Sequence, residues 1–245
     1  MRIRIITGLL LIMISNSLMA QFVGDAAANT GSQAGSDTPK PAFTLKVGTA
    51  LPISTYTIVP NFPVAPYTSG NMGAKPGLFV EAGFGMDIIG SDAPVGFYYY
   101  PLLMSLWQTK LDWSELGGGF SDEAIYTKPV TVLDIAQRYG IFVKPIDKLS
   151  AALYYRPGGI IPFDFEIMDS GSGFLFTGEM SVGDDAPVFM MSHTFGLSVK
   201  YDIYSISLER YSANPTYDIQ YPSSGVVTTA KIPVRLFMLS FALAM

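Results

Sequence analysis

The stretch LFVEAGFGMDII, Leu78 to Ile89, sets how the rest of the chain is read. One alternating set, Leu78, Val80, Ala82, Phe84, Met86 and Ile88, is apolar throughout. The other set, Phe79, Glu81, Gly83, Gly85, Asp87 and Ile89, carries two carboxylates and two glycines. Successive side chains of an extended strand point to opposite faces, so the two sets meet different environments. The question is which of them is outside.

The same period of two recurs along the chain. It marks strands at Phe43 to Pro52, Gly77 to Ile89, Val95 to Asp112 and Val130 to Lys144, then at Leu149 to about Ile167, Thr194 to Tyr201, Ile203 to Tyr211 and Ile232 to Met245. The connections between these eight segments alternate in length. ISTYTIVPNFPVAPYTSGNMGAKP, WSELGGGFSDEAIYTKP, Asp169 to His193 and Ser212 to Lys231 are long; GSDAP, PIDK and the junction at Asp202 are short. An even number of antiparallel strands, with long loops at one end and short turns at the other, is the plan of an outer-membrane barrel.

Composition decides between a wet and an apolar exterior. The 245 residues are 49% hydrophobic and only 14% charged, against roughly 25% charged in an average soluble domain. Mean hydropathy is +0.33. The polar-side sets are mostly Gly, Ser, Ala and Thr with scattered ions, which suits a narrow lumen, whereas the bulky apolar sets suit lipid. The carboxylates of the opening stretch are therefore expected to point inward. The inward set is expected to include Lys46, Glu81, Asp87, Asp134, Arg138, Arg156, Lys200 and Glu209, four of each sign. Unpaired ions in such an interior are costly, so a network of salt bridges is expected. Gln137 is the one misfit on the apolar face of its strand.

The start of the chain, MRIRIITGLLLIMISNSLMA, has two arginines, a short apolar run and a small residue at its end. That pattern predicts a secretory signal peptide over residues 1–20, and residues 21–42 read as a flexible periplasmic leader rich in Gly, Ala, Ser, Thr and Asp. Without Arg2 and Arg4 the chain has 13 basic and 20 acidic residues, a balance of −7 that argues against nucleic acid as a partner. The absence of cysteine excludes disulfides, thiolate catalysis and cysteine-bound metals.

From Phe43 to Met245 the chain resembles the eight-stranded transmembrane barrels of the OmpA-like class of diderm bacteria, by its topology and by an opening strand, FTLKVGTALP, of their kind. The resemblance implies an all-β, antiparallel up-and-down barrel over residues 43–245 in the bacterial outer membrane. Its partners would be outer-membrane lipid and lipopolysaccharide, with an extracellular partner reached through the long loops. Such barrels usually end in an aromatic residue; here LFMLSFALAM places Phe237, Phe241 and Met245 in phase, with Met last. The class's separate peptidoglycan-binding domain is not expected.

The leading functional expectation is a non-catalytic membrane scaffold with interacting surface loops and no cofactor or metal. A narrow pore or OmpW-like conduit for small solutes is the alternative. Some barrels of this size modify lipid A, and His193, beside Ser192 and near Asp184 and Asp185 at a strand mouth, would be the base of such an acyl enzyme. No G-x-S-x-G element supports it. ELGGGF and DSGSGF read as loop glycines, and GDDAP lacks the spacing of a calcium loop.

Three features strain the strand reading. The third segment is apolar on both faces through VGFYYYPLLMSLW, with Pro101 in the middle; Pro157 interrupts the fifth; Pro233 falls in the eighth. Aromatic residues near the segment ends, Tyr98, Tyr100, Trp107, Trp113, Tyr201 and Tyr204, are the candidates for an interfacial belt.

Overall fold

The structure is a computed structural model that describes residues 41–53, 59–62, 70–89, 94–112, 125–127, 129–146, 148–163, 165–169, 173–180, 190–221, 226–231 and 233–244. Residues 1–40, which hold the expected signal peptide and most of the leader, lie outside them, as do Trp113, Asp184, Asp185 and Met245. ELGGGF, GDDAP and part of DSGSGF lie outside them too.

Eight strands form a closed ring: β1 (Pro41–Pro52), β2 (Gly77–Ile89), β3 (Val95–Asp112), β4 (Val130–Ile146), β5 (Leu149–Pro162), β6 (Met191–Tyr201), β7 (Tyr204–Ala213) and β8 (Val234–Ala244). Each pairs antiparallel with its neighbours in sequence, and β1 closes on β8 from Thr44 opposite Ala244 to Pro52 opposite Leu236. Closure leaves the ring without an edge strand, so its backbone donors and acceptors are paired within the wall.

The tight turns lie at one end. Lys148 and Asp202 adopt positive φ, 68° and 55°, as residues in short hairpin turns do. The Asp202 amide donates to the Lys148 carbonyl at 2.7 Å, so two adjacent turns are tied together.

The long connections are not plain loops, which corrects the sequence reading. Gly70–Lys75 pairs with the end of β3 and with Val59–Phe62. Segments of the other three form a separate five-stranded sheet in the order Val226–Lys231, Thr216–Tyr221, Gly173–Met180, Phe165–Asp169, Ile125–Thr127. The fifth strand accordingly stops at Pro162 rather than Ile167, and the chain re-enters this second sheet at Phe165.

The wall shows the alternation that LFVEAGFGMDII announces. Leu78 is 67% exposed on the outside, with Val80 and Phe84, while Phe79 and Glu81 are fully buried. Outside, Phe195 is 60% exposed, and Leu197, Val199, Ile206, Leu208, Leu239 and Phe241 continue the apolar surface around the ring. Gln137 is only half-buried, yet it accepts a hydrogen bond from the Tyr139 hydroxyl at 2.5 Å, which satisfies an amide on an apolar face.

Pro101 resolves the two-faced third segment. Tyr100 stands opposite Arg138 but Leu103 stands opposite Ala136, so β3 carries one extra residue there; the register against β2 shifts at the same place. This bulge reverses the phase of the strand. Before it Tyr98 faces the lumen; after it Leu103, Ser105, Trp107 and Thr109 do. Trp107 is therefore fully buried inside the barrel and Tyr98 almost so, which corrects their expected place in a belt. Tyr100 lines the interior as well. Tyr201 and Tyr204 do lie on the outer surface at a turn. Pro157 leaves β5 unbroken, and Pro233 immediately precedes β8, a position where its missing N–H removes no ladder bond.

Candidate functional site: the barrel interior

Glycines opposite large side chains let eight strands enclose a filled lumen. Gly196 lies directly across from Tyr154, and a Cβ there would meet the ring at 2.3 Å; Gly140 stands between Tyr98 and Tyr154 on the neighbouring strands. Small residues in the polar sets thus make room for rings from the next strand.

Six ions meet in the middle of the barrel. Lys46 on β1 stands opposite Glu81 on β2, with its Nζ 3.3 Å from Glu81 and 3.0 Å from Glu209 of β7. Arg138 of β4 donates to the same Glu81 Oε1 and lies 4.0 Å from Glu209. Arg156 of β5 reaches the other Glu81 oxygen at 3.2 Å and Asp134 at 3.4 Å, and it donates to the Ser105 and Thr194 hydroxyls at 3.0 and 3.1 Å. The Ser192 hydroxyl lies 3.0 Å from each Asp134 oxygen, and the Tyr154 hydroxyl donates to Glu209 at 2.8 Å. All six ions are buried, three of each sign, so the cluster is neutral as a whole. The Tyr154 ring also lies under both Arg138, at 4.7 Å, and Lys46, at 5.5 Å, a favourable placement for cations out of water.

The interior divides into three levels. On the long-connection side of the ions Trp107 packs edge-on against Tyr211 at 5.5 Å, with Phe79, Leu236 and Met238 buried on neighbouring strands. On the short-turn side a cavity of about 440 Å³ opens, and its inner wall is formed by Lys46, Arg138 and Tyr154.

Of the eight ions expected inside, the structure brings together Lys46, Glu81, Asp134, Arg138, Arg156 and Glu209. Lys200 stands apart, exposed where the cavity opens. Asp87 lies on β2, and its side chain is outside the described residues. Ser105, Tyr154, Ser192 and Thr194 join the network although the sequence reading does not assign them to it. A signal for them is available, since each shares strand parity with a buried ion or hydroxyl.

The Ser192 and His193 pairing that the acyl-enzyme alternative requires is not formed. His193 is not in a loop but in β6, where adjacent residues face opposite ways. Ser192 is buried against Asp134, whereas His193 lies on the outer surface, its Nδ1 2.6 Å from the Tyr155 hydroxyl and its ring parallel to that of Tyr155. The nucleophile and base of an acyl-transfer site are therefore on opposite sides of the wall.

No family model and no curated protein matches the chain. Among solved structures it is similar to Ail, the attachment invasion locus protein of Yersinia pestis, at 10% identity and a TM-score of 0.38, over 84% of this chain and 99% of that one. It is also similar to a major outer membrane protein from Thermus thermophilus, at 12% identity and a TM-score of 0.40, over 84% of this chain and all of that one.

Proposed function

We propose that the chain is an integral barrel of the bacterial outer membrane, exported by its N-terminal segment, and a non-catalytic scaffold that presents the sheet of its long connections at the cell surface. The observation that carries this reading is the closed lumen: a neutral, buried cluster of six ions, covered by Trp107 and Tyr211, closes the middle of the barrel. A ring without edges and with Leu, Val, Ile and Phe on its outside is suited to lipid, because its strands pair their backbone groups with one another around the whole ring. Outer-membrane lipid, including lipopolysaccharide in the outer leaflet, is then its immediate surroundings, and an extracellular partner would meet the five-stranded sheet.

The chain has no native cysteine, so single cysteines report its orientation without background. A polymer-linked maleimide too large to cross the outer membrane should label T229C, on the second sheet, in intact cells. It should label I203C, in a short turn, only after permeabilisation. Labelling in the reverse order would sink the topology. Planar bilayers containing the refolded protein are expected to stay electrically silent. Reproducible steps that respond to Arg138→Ala or Glu81→Ala would replace the scaffold by the narrow-conduit reading. His193→Ala should leave lipid A unaltered, and a loss of modification would restore the enzyme reading.

A further inference from the structure

The cavity of about 440 Å³ at the short-turn end is a space that the ion cluster leaves open. It differs from that cluster in charge. The six central ions cancel, whereas the mouth adds Lys148 and Lys200, with Asp202 as the single carboxylate lining it among the described residues. Cations are thus gathered in one concave place on a chain whose formal charge is −5. A cleft lined mostly by one sign of charge focuses potential and raises the local concentration of counter-ions.

The fold builds this mouth and holds it in place. Lys144 and Lys200 occupy inward positions of β4 and β6, in phase with Arg138 and with Thr194. Lys200 stands opposite Ser150 on one side and Ser205 on the other, and all three line the cavity. Lys148 sits in the turn that is bonded to the Asp202 turn at 2.7 Å. Deeper in, Tyr98 and Phe142 stack with ring centroids 6.4 Å apart and give the cavity an apolar wall. A volume of about 440 Å³ falls in the usual range for small-molecule sites, roughly 300–1,000 Å³.

We propose that this vestibule binds a small phosphate-bearing anion, with Lys148 and Lys200 as its principal charge partners. Arg138, which also lines the cavity, is committed to Glu81, so the mouth offers ammonium point charges, the form in which lysine binds phosphate. Ammonium groups lining one cavity complement the charge spread over phosphate oxygens, and the Tyr98 and Phe142 wall suits an organic body attached to them.

The probe is inorganic pyrophosphate, titrated calorimetrically into the protein in maltoside micelles at constant ionic strength set by chloride. Saturable binding is expected, weakened about tenfold or more by Lys148→Ala with Lys200→Ala, and further by Lys200→Glu. Lys110→Ala, at the opposite end of β3, should leave it unchanged. Both cavity lysines are exposed, and heat-dependent gel migration checks that each variant keeps its barrel. No saturable binding, or equal binding by the double variant, would overturn the proposal. Repeating the titration in phosphatidylcholine and in phosphatidylglycerol nanodiscs separates the sources. Competition by the anionic lipid alone identifies a headgroup as the natural occupant, and its absence identifies a soluble ligand. Binding in micelles does not depend on which way the barrel faces, so failure of the surface-scaffold reading would leave this result intact.

Discussion

Replacing Arg156 by Met tests whether the central cluster is as dry as its burial implies. The side chain is fully buried and holds four partners: Glu81 at 3.2 Å, Asp134 at 3.4 Å, and the Ser105 and Thr194 hydroxyls at 3.0 and 3.1 Å. Methionine fills much of the same path but donates nothing. Glu81 Oε1 keeps Lys46 and Arg138, whereas Oε2 loses its cation; Asp134 keeps only the Ser192 hydroxyl among its described polar contacts. Three carboxylates then face two cations. Removing one partner from a buried ion pair costs about 3–5 kcal/mol, because the charge left behind stays out of water. Asp134→Asn restores neutrality, so the double variant should recover at least about 1 kcal/mol, within the range of coupling between residues in one network. Urea unfolding in lipid vesicles, followed by the folded and unfolded gel bands, measures both quantities. A loss below about 1 kcal/mol for Arg156→Met would mean that water screens the cluster, and the argument for a closed lumen would fail.

Gly196→Val should destabilise the barrel by about 1–3 kcal/mol, since its Cβ would enter the Tyr154 ring; thermal unfolding monitored by gel migration reads the loss, and an unchanged midpoint would contradict the packing. Leu197→Lys, on the outer face midway along β6, should cost about 2–4 kcal/mol in bilayers, whereas Ser198→Lys, pointing inward beside the cavity, should cost far less. Equal penalties would mean the two faces are assigned wrongly. In a Trp113→Phe variant the remaining Trp107 should resist quenching by brominated lipid chains because it lies in the lumen against Tyr211; strong quenching would return it to an interfacial belt.

Much of the architecture is legible before any coordinates, for a simple reason. Alternation is a local property of a strand, and the difference between LFVEAGFGMDII's two faces is carried by side chains only one residue apart. The short turns are equally local, so their alternation with long connections gives the strand count and the antiparallel order. Periodicity alone misplaces Trp107 because a bulge at Pro101 shifts phase by one residue, although Ser105 and Thr109, two positions either side, share its parity and point the same way. It misplaces His193 because β6 begins at Met191, three residues earlier than the pattern suggests; once inside a strand, Ser192 and His193 must diverge.

The eight strands, their order, and which face of most of them is apolar follow from periodicity and turn length within a few residues of each position, so they can be read from the chain directly. How the ions pair and where the lumen stays open cannot, because both depend on contacts between distant segments. Lys46 and Glu209 are 163 residues apart and meet because β1 lies beside β8 and β8 beside β7, at levels set by the stagger of the closed ring. The folding of the long connections into a second sheet is likewise a matter of long-range pairing, Gly173–Met180 against Thr216–Tyr221 for one, which no local pattern specifies.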